Sequence, residues 1–326
     1  MTDRAIAAVN AHLGSERLHV FDVGARRGLD ARWQQFHRYL SVVGFEPDPA
    51  ECARLARGSG ALRYPARFLP YAIGRDTRSD VPFHVTRWPV GSSLLPPDPW
   101  WTAEFTQMAA VLQDEGQRRV ETVSLDEACD RERVWPDFLK VDVEGAELDV
   151  LRGGERALAR ALALDVEVEF VPLRLGQPLF ADVDAHLRGR GWRLLGLKRV
   201  HWRRSAGLDP LVVGHGGQLV QADALYVNAR LLDGGLPAAS AMKLLLILAA
   251  YRQADYILHL IRTPGLVAAH LTDAQRSELR ARLTSRPTLG HMLCRWLLPE
   301  SADRRRALVD GLQRGDAAVW CDADFF

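Results

Sequence analysis

The chain alternates short apolar runs with segments whose apolar residues recur at helical spacing. Residues 18–23, 41–45, 68–73, 120–125, 138–141 and 163–170 read as strands, and 81–86 as an added hairpin-like strand. Between them lie helical patterns: residues 1–17, with Ile6, Val9 and Leu13 on one face, then segments beginning near Asp30, Ala50, Asp126 and Ala146, and residues 180–189. Residues 192–197 and 224–228 read as a closing strand pair. Strands alternating with helices predict an α/β sheet covered on both faces. Two stretches break the rhythm. Residues 87–118 hold Pro89, Pro96, Pro97 and Pro99 with Trp88, Trp100 and Trp101, and predict a lid or binding loop. Residues 201–217 form a basic, glycine-rich loop. At Asp233-Gly234-Gly235-Leu236-Pro237 the composition shifts, and the rest reads as helix. The expected division is a helix at 1–17, a main domain at 18–230 and a helical extension at 231–326.

Composition removes several classes of function. The formal net charge is +1, which gives no general attraction to nucleic acid or anionic membrane. Only Lys140, Lys198 and Lys243 among the 42 basic residues are lysines, a bias that reflects genome composition rather than a binding surface. Cys52, Cys129, Cys294 and Cys321 form no CxxC pair and read as reduced thiols. The first twenty residues lack the apolar core of a secretory signal. The run 244–250 is far shorter than the roughly 20 residues that span a bilayer. A cytoplasmic protein is expected.

Candidate chemistry sits where strands end, the place at which open α/β sheets bind ligands. The first strand runs into Asp22-Val23-Gly24-Ala25-Arg26-Arg27-Gly28. Gly24 and Gly28 allow close approach of backbone to a ligand, and their GxxxG spacing differs from the dinucleotide GxGxxG. That spacing disfavours a nicotinamide-dependent oxidoreductase. The second strand ends in Glu46-Pro47-Asp48-Pro49, where Glu46 suits a ribose diol and Asp48 a helix N-cap. Phe138 to Gly153, FLKVDVEGAELDVLRG, empties a strand into Asp142, Glu144, Glu147 and Asp149. Charges at a strand end cost desolvation unless something uses them, so Asp142 and Glu144 read as site residues. Glu147 and Asp149 suit the first turn of the following helix. Residues 163–170 alternate Val166, Val168 and Phe170 with Glu167 and Glu169, a strand with one acidic face.

Taken in order, FDVGARRG, GFEPDP, YAIG, GSSL, VSLDEA, FLKVDVEGAELDVLRG and DALYVN resemble the FkbM family of S-adenosylmethionine-dependent methyltransferases, over about residues 18–230. The resemblance implies a class I methyltransferase (Rossmann-like) fold, a seven-stranded sheet with helices on both faces. It also implies O-methylation of a sugar, polysaccharide or natural product, a glycan or secondary metabolite. On it, Asp22, Gly24, Ala25 and Gly28 hold the methionine part of the cofactor, Glu46 and Pro47 meet the ribose, and Ala72 and Ile73 border the adenine. Arg26 stands where family members often have Asn, and a cation there would crowd a sulfonium.

Methyl transfer to an alcohol needs help with the hydroxyl proton. Asp142 is the first candidate base, with Glu144 beside it and Lys140 orienting it; His84, His201 and His215 are alternatives. Asp142, Glu144 and Glu169 together form a candidate oxygen site for a divalent cation such as Mg²⁺. Trp88, Trp100 and Trp101 suit the apolar face of a sugar. A reading of another class is a cofactor-binding pseudoenzyme whose helical tail recruits a partner. The apolar tail helices also suit packing against a second copy, a homo-oligomer.

Overall fold

A computed structural model describes residues 3–105, 111–202, 204 and 217–284. His215, Cys294 and Cys321 lie outside the described residues. The main sheet has seven strands: β1 (Leu18–Val23), β2 (Leu40–Phe45), β3 (Ala66–Leu69), β7 (Phe138–Val141), β8 (Ala163–Glu169), β9 (Trp192–Trp202) and β10 (Gln218–Asn228). Their order is β3-β2-β1-β7-β8-β10-β9. Neighbours from β3 to β8 are parallel, and β10 runs antiparallel to both β8 and β9. A second sheet of three strands, in the order β4-β6-β5, is built from β4 (Ala72–Gly74), β5 (Arg78–Thr86) and β6 (Asp114–Ser124).

Two expected elements differ. The run 68–73 is not one strand. Pro70 has no N–H for a ladder, so β3 stops at Leu69, and the chain crosses to the small sheet as β4. The helix after Asp30 is a 3-10 helix, Ala31–Tyr39, with Asp30 accepting from the Arg32 amide as its cap. Its buried residues, Trp33, Phe36 and Tyr39, recur every third position, and three residues per turn bring them onto one face. Within 87–118, residues 106–110 lie outside the described residues, and the rest include a short helix (Pro99–Glu104) and the start of β6.

Successive residues of a strand face opposite sides. One side of the main sheet, with Phe21, Val43, Phe45, Leu139, Val141, Leu164 and Val166, is apolar throughout and packs with buried residues of the helices between Leu125 and Arg188. The other side changes character along the strands. Its first half, Leu18, Val20, Leu40, Val42, Phe138, Ala163, Leu225 and Val227, shares a core with the N-terminal helix (Asp3–Leu13), the 3-10 helix and the tail. The longest described helix of the tail, Ala238–Ala250, is buried nearly all round, as a helix apolar on every face must be. Its one charge, Lys243, reaches Asp137 at 3.0 Å, just before β7. The second half of the same side is charged, and it carries the site.

Candidate active site

The parallel register dictates the charged rows. Asp22 of β1 stands opposite Lys140 of β7, which stands opposite Asp165 of β8. One step further, Glu167 pairs with Asp223 of β10, and Asp223 with Lys198 of β9. A cavity of about 890 Å³ opens over these rows and runs to the glycine turn after β1.

The glycine-turn end is lined by Gly24, Gly28, Glu46, Pro47, Ala72 and Ile73. Gly24 has φ 89° and Gly28 φ 73°, where a side chain is strained. A Cβ on Gly24 would lie 1.8 Å from the backbone oxygen of Asp142, so the two strand ends touch. The Gly24 and Ala25 amides donate to the Phe45 carbonyl at 3.1 and 3.0 Å, tying the turn to β2. Two of the residues expected at the cofactor do not line the cavity. Ala25 is buried against β2, its methyl close to Gly44. Asp22 is 1% exposed and lies 3.6 Å from the Lys140 ammonium, so any contribution it makes passes through that lysine.

Arg26 turns onto the acidic pair after β2, its guanidinium 3.4 Å from Glu46 Oε1 and 3.5 Å from Asp48 Oδ2. Glu46 Oε1 also accepts the Asp48 amide at 2.9 Å. Burial pushes the Glu46 carboxyl above its ordinary value, against the pull of that amide and of Arg26. Asp48 caps the next helix by accepting from the Ala50 and Glu51 amides, as expected.

Lys140 and Asp142 sit at the junction of the two ends, Nζ to Oδ2 2.9 Å. Burial would raise Asp142, but the ammonium of Lys140 and a hydrogen bond from Glu167 outweigh it and hold the carboxyl below its ordinary value. Lys140 is correspondingly held charged by Asp142 and Asp22 in spite of burial. Glu167 and Glu169 are pushed well up, first by burial and then by the surrounding carboxylates. Glu167 thus holds the proton that it shares with Asp142, and Gln221 donates to Glu167 Oε1 at 2.6 Å.

Glu144 has φ 61° and is held from outside the motif. Arg174, 2% exposed, donates from Nη2 to Glu144 Oε2 at 2.9 Å and to the Gly91 carbonyl at 2.7 Å. One guanidinium therefore joins the turn after β7, the loop after β8 and the proline-rich insertion. Glu147 stands in the first turn of the helix Glu147–Arg152, as expected. It is buried and accepts from the Val143 and Gly145 amides at 2.9 and 3.0 Å, fastening the acidic turn from below; burial pushes it up to about 7. Asp149 is half-exposed beside Arg152, as expected of the helix surface.

The carboxylates that converge are not quite the expected three. Oxygens of Asp142, Glu144 and Glu167 lie together, and those of Glu147, Glu167 and Glu169 lie together. Glu169 does not join Asp142 and Glu144, because it stands one step further along its strand. A hard cation needs several open oxygens. Here Asp142 has Lys140, Glu144 has Arg174, Glu147 has two backbone amides and Glu167 has Gln221. With these partners in place the set does not fit Mg²⁺ well.

Of the alternative bases, His84 and His201 are on β5 and β9 and do not line the cavity. Trp88 lines it, as does Trp202, which sequence reasoning missed; Trp100 and Trp101 do not, and Trp100 is 62% exposed. Also missed were Arg174, Asp165, Asp223 and Tyr251. The period-two alternation of 163–170 was the signal for Asp165 and Glu167. No spacing pointed to Arg174 or Tyr251, which arrive from a loop and from the tail.

The family model for the methyltransferase FkbM domain matches residues 22–194, more than half of the chain. The chain is 30% identical over 175 residues to the 2-O-methyltransferase NoeI of Sinorhizobium fredii, a match covering 51% of this chain and 69% of NoeI. It is 32% identical over 129 residues to the hexuronic acid methyltransferase AglP of Haloferax volcanii, covering 39% of this chain and 47% of AglP. Among solved structures, the magnesium protoporphyrin IX methyltransferase of Synechocystis aligns with a TM-score of 0.33 and 10% identity, over 69% of this chain and 77% of that one. The strand order described above, rather than this distant likeness, carries the fold. Among the described residues, no helix is long and apolar enough to cross a membrane.

Proposed function

The chain belongs to the FkbM family of S-adenosylmethionine-dependent methyltransferases and has their α/β fold, and from that premise we propose that it methylates a hydroxyl of a sugar. The observation that carries this reading is the single cavity joining the glycine turn to a carboxylate-lined floor, with Lys140 and Asp142 between them. On this reading residues 18–230 bear the chemistry. The turn at Gly24 and Gly28, both at positive φ and both lining the cavity, fits a donor held close to backbone. Gly24 and Gly28 line its approach, Glu46 accepts from the ribose diol, and Ala72 and Ile73 flank the base. When bound, S-adenosylmethionine supplies an electrophilic methyl group.

The protein's own share is alignment and proton handling. Holding the acceptor oxygen in line with a methyl group is worth roughly 7–11 kcal/mol. Asp142, kept ionised by Lys140, accepts a hydrogen bond from the attacking hydroxyl and takes its proton as the new carbon–oxygen bond forms. Glu144, braced by Arg174, walls the same space. Carboxyl and carboxamide groups on the floor suit a polyhydroxylated ligand, since each oxygen can accept from a hydroxyl and each protonated group can donate. The named activities of NoeI and AglP support a sugar over another alcohol.

The test is release of S-adenosylhomocysteine by the purified protein with methyl glycosides of a neutral hexose and of a hexuronic acid, against phenolic and aliphatic alcohols. Sugar-dependent release is expected. Release with the other alcohols and none with either glycoside would overturn the sugar assignment.

A further inference from the structure

The family match ends at residue 194, yet a residue of the tail lines the cavity. Tyr251 follows the helix Ala238–Ala250, and its amide donates to the Ile247 carbonyl at 3.1 Å. The buried helix acts as a strut that sets the height of the ring. The ring is packed by Phe138 at 5.4 Å between centroids and Trp33 at 6.1 Å, with the Arg32 guanidinium over it at 4.4 Å from the ring centre. The hydroxyl donates to Asp165 Oδ2 at 2.6 Å. Tyr251, Arg32 and Asp165 all line the cavity, on the floor beyond Lys140 and away from the Glu46 end.

Resting on the sugar-methylation reading above, we infer that the helical tail is part of the acceptor subsite. Tyr251 is a positioning residue: it pins one oxygen of Asp165, and the other oxygen meets a hydroxyl of the sugar. The neighbouring acids are held in the same manner. Lys198 takes Asp223 Oδ2 at 3.2 Å, and Gln221 takes Glu167 Oε1 at 2.6 Å. Asp165 and Asp223, each tied through one oxygen, give two fixed acceptors on neighbouring strands, while Glu167 is tied both to Gln221 and to Asp142. A carboxylate left to rotate would have to be ordered by the ligand itself, and the tail removes that cost before binding. The ligand class is a pyranose or furanose with adjacent hydroxyls, read across β8 and β10.

Tyr251→Phe keeps the ring and removes only the hydroxyl. The experiment measures donor affinity by calorimetry, and kcat and KM for methyl β-D-glucoside and methyl β-D-glucuronide, whichever the wild type turns over. Donor affinity is expected to stay within about twofold while sugar KM rises about tenfold. Asp165→Asn is expected to give the same pattern, and the double variant no further rise. A folded Tyr251→Phe variant with wild-type sugar KM would overturn the inference, and so would equal weakening of donor and sugar, the mark of a merely structural tyrosine. Wild-type protein inactive on both glycosides would sink the sugar reading and the subsite with it, whereas an active wild type with an indifferent variant sinks the subsite alone.

Discussion

Along one side of the main sheet, Val20, Phe138 and Ala163 lie beneath helices, while two residues further on the same strands Lys140 and Asp165 open on the cavity and Asp22 lies buried behind Lys140. Backbone geometry is continuous across that line, and only the side chains change. In the first half each group adds to stability by leaving water. In the second half each group loses solvation and is held by a partner: Lys140 by Asp142, Asp165 by Tyr251, Glu167 by Gln221. A site of this kind is supported by the apolar half and is not a source of stability itself.

The largest test of that division lies in the apolar half. Phe138→Ala, at a fully buried ring packed on Trp33 and Tyr251, should cost about 3–5 kcal/mol in denaturant titration. Asp142→Asn should do the reverse, lowering turnover by about 10² or more while donor affinity changes little. A wild-type rate in that variant would remove Asp142 as the base, and a stability loss as large as that of Phe138→Ala would erase the distinction between the halves. Glu46→Ala should weaken donor binding by about tenfold, the loss of a hydrogen bond to a charged group. Arg26→Ala sharpens this case. If the guanidinium competes with the ribose for Glu46, removing it should tighten binding two- to threefold by calorimetry, and a weaker complex would show that Arg26 instead orients the carboxylate.

The smallest effect is a pH dependence of stability. Buried Glu147 keeps its proton up to about 7, whereas an unfolded glutamate releases it near roughly 4.3. The stability that this proton adds is fully present below the lower value and is lost as pH rises through the upper one. Glu147→Gln, which mimics the protonated form, should flatten the decline between about pH 4 and 7. Parallel curves for the two proteins would show that the group does not titrate in that window.

Much of the α/β frame was legible because the strands are short apolar runs bounded by glycine, proline and acids. The glycine turn and the acids after β7 were legible for a local reason: both lie within a few residues of a strand end. Pro70 was visible, but its effect was not, since only the pairing partners reveal that β4 joins a different sheet. Arg174 and Tyr251 were hidden because their roles depend on distant residues, 83 positions back to Gly91 and 86 back to Asp165. Glu147 stands in the first turn of its helix as expected, but its burial was hidden because helix position says nothing about which amides lie beneath a side chain.

The contact between Gly24 and the Asp142 carbonyl has an evolutionary consequence. On the proposed reading, the donor-binding turn and the proton acceptor ride on adjoining strand tips, and a side chain at position 24 would push them apart. New acceptors are therefore more readily gained by remodelling the far floor and the tail, where a substitution leaves that joint untouched.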